Sequence, residues 1–421
     1  MVIFVHGTLK PAKYSLSIVS AVMHNKIKNS LYEKMIYYLR KNQYLYQNQA
    51  MQGLGLMPID TLHNESKIGA HCIKHLFDRQ YDFYNTLPLL RRYYTFGWNG
   101  LLNAHKRLKE GENFYTALEK EVANLCTQGL EPIIHINAYS HGGSVALNLA
   151  AAKIEKQKTP SFSIDQLVLL ATPVQRETDY LAGDTDFFKK IFHLYSTEDN
   201  VQTYDVFSTR KEFFSRSTFT ARHRFQLPKN LTQVRIRLTQ KVRRLPTHVD
   251  PALLDDAYTL LASKGTKFSH KDPGHSEFWN LCWEGDSWYR KTLPIYPLPV
   301  VALVPTIVHL LNEYAPHASC VSFDYCPSLA GARIITCHTK KSTAVPFLTK
   351  EFVTEMQHKI MTCMPDGYTL EERRTQEQEA LTQAHEELET NKYLKQTSRQ
   401  KLMTSYLSLS RKIGSDLFPN L

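Results

Sequence analysis

Residues 137–150 read NAYSHGGSVALNLA. An apolar run, PIIHIN, leads into this stretch, and the alanine-rich SVALNLAAAKIEK continues it. The run predicts a strand, and the continuation predicts a helix that packs closely on a sheet. A strand that breaks sharply into a helix projects the residue at the break above the end of the sheet. Residues two before and two after the break crowd the neighbouring strand and helix, so they must be small. Ala138 and Gly142 meet that demand around Ser140. Ser140 therefore reads either as a projecting nucleophile or as a serine that merely caps the helix.

Working outward, strands alternate with helices. Val2–Val5 is a continuous apolar run, as a strand covered on both faces would be. YYTFGW ends a second strand at Asn99-Gly100. A helix follows with Leu118, Val122 and Leu125 on one face and Gly129 as its stop. QLVLLATP, IFHLYS and QVRIRLT complete a set of strands. This alternation predicts an α/β fold with a mainly parallel sheet. Past Pro294 an apolar stretch, read as the last core helix with the lining of an acyl pocket as the alternative, precedes CVSFDYC and ARIITCH, two strands expected to pair. A helix near Lys350–Met361 follows them. The division expected is a catalytic domain over 1–315, a small strand-strand-helix extension over 316–366, and a polar helical tail over 367–421. In the tail Thr369 and Glu372 have capping-box spacing, and Leu381, Ala384 and Leu388 make a thin apolar stripe. That tail is expected to lie outside the core and could bind a protein partner.

The 421 residues are 43% hydrophobic and 22% charged, the balance of a globular protein with a large core. No apolar run reaches the length of a membrane span, and the first residues lack the basic and small-residue signature of a cleaved leader. The expectation is a cytoplasmic protein, with peripheral membrane attachment or export without a cleaved signal left open. Seven scattered cysteines argue for reduced thiols. Cys320, Cys326, Cys337 and His338 match no zinc-ligand spacing, and no metal site is expected. The net charge of +11 favours anionic partners without choosing among them.

Two segments near strand ends add to the serine turn. His6-Gly7-Thr8 follows the first strand, where a backbone N–H could stabilise an oxyanion, with a second N–H from His141. FGWNG, residues 96–100, ends another strand, with Arg107 on the next helix.

With FVHGT, FGWNGLLNAHKR, NAYSHGGSVALNLA, LVLLATP, YSTEDNVQ and GHSEFW in this order, the chain resembles a lipase/esterase-like serine hydrolase of the α/β-hydrolase superfamily. The resemblance covers roughly residues 1–10 and 90–280. It departs from the family in having no strand before the His-Gly strand and in two long segments, 11–90 and 209–268. The family order is serine, acid, histidine. It implies Asp199 as the acid, with Glu198 and Asp205 as alternatives, and His275 as the base, with His270 as runner-up. The implied chemistry is acyl-ester cleavage, with lipidic substrates foremost, through a Ser140-His275-Asp199 triad. The backbone N–H groups of Thr8 and His141 would form the oxyanion hole, with His6, Gly7, Ala138 and Gly142 supporting the motif. No cofactor is required. Thioesterase or amidase chemistry on the same fold, and an idle hydrolase fold used as a binding module, are the rivals.

Between Arg210 and Arg244 there are eleven Lys or Arg residues against one acid, Glu212, with Phe213, Phe214, Phe219 and Phe225 interleaved. Cations with aromatics suit an anionic membrane surface or single-stranded nucleic acid, with the membrane favoured beside a hydrolase. A solvated basic insertion with its phenylalanines packed inside is the plainer reading. The 11–90 segment reads as a lid or as a packing insertion.

Overall fold

The computed structural model describes residues 1–9, 27–41, 43–59, 69–86, 90–156, 161–199, 201, 215–223, 225–241, 268–281, 293, 295–326, 331–363 and 375–391. In chain order the elements begin with β1 (Val2–Val5), α1 (Leu31–Arg40), α2 (Gln43–Gln47), β2 (Gly55–Pro58), α3 (Gly69–Tyr84) and β3 (Tyr93–Gly97). Next come α4 (Ala104–Thr127), β4 (His135–Tyr139), α5 (His141–Lys156), β5 (Gln166–Leu170), β6 (Ile191–Tyr195), β7 (Leu231–Lys241) and β8 (Phe268–Lys271). The chain continues with α6 (Val304–Tyr314), β9 (Cys320–Cys326), β10 (Gly331–Thr336), β11 (Ser342–Pro346) and α7 (Lys350–Cys363). An eighth helix, α8, spans 375–391. These elements fall into two compact units, one of Met1–Lys10 with Asn42–Leu370 and one of Pro11–Lys41 with Glu371–Leu421.

The larger unit is an α/β protein built on an eleven-stranded mixed sheet. Its order is β11-β10-β9-β7-β6-β5-β4-β1-β3-β2, with β8 paired to β7. The seven strands from β3 to β9 in that order run parallel. Both edges and β8 are antiparallel. Each face is covered. Val2 and Phe4 of β1 point into one core with Ile73 and Phe77 of α3, Ile307 and Leu311 of α6, and Met356 and Ile360 of α7. Ile3 and Val5 point into the other, with Phe114 and Leu118 of α4 and Val145 and Leu149 of α5. Side chains alternate across a strand, so only an unbroken apolar run satisfies two cores at once.

Two expectations change here. The region 316–366 is not an appended extension: β9 pairs in parallel with β7 from Gln233↔Cys320 to Leu238↔Tyr325, and β10 and β11 complete that edge. The backbone ladder of β7 offers a long unpaired side, and the β9–β11 meander satisfies it. Cys320 and Cys337 are not free thiols. They form a disulfide with Cα atoms 5.5 Å apart, placed by the β9–β10 register just beyond Val321↔Thr336. The described parts of the 11–90 segment within this unit pack into the core and the sheet. α3 is a core helix, and β2 closes one sheet edge against β3.

The smaller unit contains α1 and α8. Ser30 caps α1, its hydroxyl accepting from the Glu33 N–H, while Glu33 accepts from the Asn29 N–H at 2.6 Å. Lys34 pairs with Glu387 of α8, and the Tyr38 hydroxyl donates to the same carboxylate at 2.9 Å. The polar tail is thus joined to Lys34 and Tyr38 of the 11–90 segment. The Thr369–Glu372 capping box lies outside the described residues.

Candidate active site

The site begins with the break between β4 and α5. Ser140 takes φ of +51°, a left-handed conformation uncommon for a residue with a side chain. The turn continues the sheet by one bond, from the Ser140 N–H to the Leu170 carbonyl at 2.8 Å. It then enters α5 at His141, whose N–H lies in the first turn of the helix, where donors are left over. Crowding explains the small residues. A Cβ on Gly142 would lie 2.3 Å from the His6 carbonyl oxygen and 2.8 Å from that of Val5. A Cβ on Gly7 would lie 2.9 Å from the Ser140 Cβ, so the His6-Gly7-Thr8 turn rests directly on the serine.

Three residues expected from the sequence meet. Ser140 Oγ is 3.0 Å from His275 Nε2. His275 Nδ1 is 2.7 Å from Asp199 Oδ2. The Asp199 side chain is inaccessible to water, and its other oxygen accepts from the Val201 N–H at 3.1 Å. An ionised carboxylate can only accept, so Nδ1 carries the imidazole proton and Nε2 faces the serine as an acceptor. Of the alternatives, Glu198 is exposed and Asp205 lies outside the described residues. His270 sits on β8 with its Nδ1 2.7 Å from Thr239 Oγ1, part of a different cluster with Asp324.

Neighbours hold this geometry. Tyr139 donates its hydroxyl to the His275 carbonyl at 3.1 Å and stacks on Trp279, with ring centres 5.3 Å apart and planes 3° from parallel. Trp279 is fully buried and anchors the turn that carries His275. His6 Nδ1 lies 2.6 Å from the Gly7 carbonyl oxygen, and the Trp98 indole N–H donates to the His6 carbonyl at 2.6 Å. The Gly7 carbonyl therefore points at His6, and across the planar peptide the Thr8 N–H points the opposite way. Thr8 Oγ1 is buried and has no hydrogen-bond partner among the described residues. Tyr139, Trp98 and Trp279 carry roles that sequence reasoning missed. Each stood inside a motif already singled out, but only as an aromatic beside it.

Where the basic stretch is described, its phenylalanines and two of its arginines are engaged within the protein. Phe219 and Phe225 are buried in the core beneath α5's face of the sheet. Arg216 and Arg222 both bind the fully buried Asp179. Arg235 and Arg237 are residues of β7. Phe213, Phe214, Arg243 and Arg244 lie outside the described residues. Among the described residues no helix is long and apolar enough to cross a membrane.

Comparison of the chain with protein-family models, curated proteins and solved structures finds no match.

Proposed function

We propose that this chain is a serine hydrolase of α/β-hydrolase type that cleaves acyl esters, lipidic esters foremost. The observation that carries the reading is the continuous chain from Ser140 Oγ through His275 to Asp199, at 3.0 and 2.7 Å, mounted on a strained turn. The sheet adds support. The serine turn follows β4, in the middle of the parallel strands, and acid and base follow strands farther along the same sheet.

In this scheme Ser140 Oγ attacks the acyl carbonyl carbon as His275 Nε2 takes its proton. The carbonyl oxygen gathers charge, held by the N–H groups of Thr8 and His141. Asp199 stabilises the imidazolium and keeps the ring oriented. Collapse breaks the bond to the alcohol, which leaves with the proton from Nε2. Water then gives its proton to Nε2 and attacks the acyl-serine, and the acid product departs as Ser140 regains that proton.

The test is reaction with a fluorophosphonate probe, followed by a panel of esters, thioesters and amides of varied chain length. Ser140→Ala should abolish labelling and lower turnover by roughly 10⁴ to 10⁶. A parent protein inert to the probe, or equal turnover in the variant, sinks the proposal.

A further inference from the structure

Acid and base of the proposed triad arrive on separate loops. Asp199 lies four residues past β6, and His275 lies four past β8. Neither position belongs to a strand ladder, yet Oδ2 and Nδ1 stand 2.7 Å apart. Something besides that single bond must set the distance between the loops.

Three residues bridge the gap. Asp272 is three residues before His275, and only 5% of its side chain is accessible. Its Oδ2 accepts from Thr197 Oγ1 at 2.7 Å, and Thr197 is two residues before Asp199. The same oxygen accepts from Arg235 Nε at 2.9 Å and Nη2 at 2.8 Å. Arg235 Nη2 also donates to Thr197 Oγ1 at 2.9 Å. Arg235 is in β7, paired in register with Tyr195, the last residue of β6. Arg237, two residues along the same strand, places Nε 3.9 Å from Asp272 Oδ1.

We infer that Asp272, Thr197 and Arg235 form a clamp that positions Asp199 against His275. The inference rests on the hydrolase reading for its rate consequence, though not for its geometry. A planar guanidinium offers donors in a fixed fork, so it reports direction as well as charge. Anchored in the ladder of β7, it fixes one oxygen of Asp272 and the hydroxyl of Thr197 at once. The base loop and the acid loop are thereby referred to one rigid strand. None of the three touches the reacting atoms; they are positioning residues. A small angular error matters, because misplacing a reacting group by about 1 Å can cost roughly 100-fold in rate.

Thr197 is exposed, so Thr197→Val tests the clamp without threatening the fold. The measurements are steady-state turnover of a soluble ester, the fluorophosphonate labelling rate, and the far-downfield proton resonance of His275 Nδ1–H, identified by its loss in His275→Gln. Thr197→Val and Arg235→Lys should each lower kcat about 3- to 30-fold with KM within about twofold, and should broaden or shift that resonance. Thr197→Ser should restore both readouts. Thr197→Val combined with Asp272→Asn should be no worse than the more damaging single change, since the two act through one contact. Unchanged kcat and an unchanged resonance in Thr197→Val and Arg235→Lys overturn the clamp. Loss of thermal stability with KM rising and the resonance intact also overturns it, because that pattern belongs to a plain structural staple. A parent protein that shows the resonance, and its change in the variants, but neither turnover nor labelling rejects the hydrolase reading while leaving the clamp standing. A parent without the resonance refutes the clamp.

Discussion

Gly142→Ala sets helix propensity against tertiary crowding. On propensity alone the change favours α5 by up to about 1 kcal/mol. The structure demands the opposite. The new methyl carbon would meet the His6 carbonyl oxygen at 2.3 Å and the Val5 carbonyl oxygen at 2.8 Å, both backbone atoms that no rotamer can move. Carbon and oxygen ordinarily approach no closer than about 3.3 Å. The first turn of α5 must therefore retreat from β1 by about 1 Å. Such overpacking costs roughly 1–3 kcal/mol. Set against the propensity gain, the net loss of stability is roughly 0–3 kcal/mol. The rate suffers more, because Ser140 and the His141 N–H ride on the displaced turn, and a shift of about 1 Å can cost roughly 100-fold. Urea denaturation measures the first quantity, and the fluorophosphonate labelling rate measures the second. A variant more stable than the parent by about 1 kcal/mol, with an undiminished labelling rate, would refute the crowding argument.

Other perturbations separate the remaining alternatives. His275→Ala should match Ser140→Ala in loss of labelling, whereas His270→Ala, which alters the Thr239–Asp324 cluster, should keep most activity. Burial pushes the His193 imidazole from its ordinary 6.5 down to about 4. Its contribution to stability is therefore complete above pH 6.5. It fades as the pH falls towards 4, where the unfolded chain binds a proton that the folded one refuses, a loss of up to about 3 kcal/mol. Denaturation midpoints across that range should fall, and His193→Gln should flatten the slope. Phe219, edge-on to His193 with ring centres 5.2 Å apart, is core, so Phe219→Ala should cost about 3–5 kcal/mol and leave liposome binding unchanged. Lost vesicle binding at full stability would instead return Phe219 to the surface.

The unbroken run of β1 determined, from the sequence alone, that a strand would lie between two cores. A pleated strand sends alternate residues to opposite faces, and no polar position interrupts Val2–Val5. The serine turn was equally legible, because small residues at 138 and 142 are a local requirement of a sharp strand-to-helix break. The order implied by the family resemblance further narrowed the proposed acid and base to two short stretches. What local pattern could not determine was which side chains in those stretches face each other. Glu198 and Asp199 differ by one position in a loop, yet one is exposed while the other is buried against His275. That outcome depends on strands more than 30 residues apart lying side by side, and on Arg235 of β7 reaching both loops. The same holds for Phe219 and Phe225 beneath the sheet, for Cys320 opposite Cys337, and for β9 against β7. Periodicity records how much of a segment is hidden from water. The partner that hides it is chosen by backbone pairing between distant segments, and only the tertiary structure decides that.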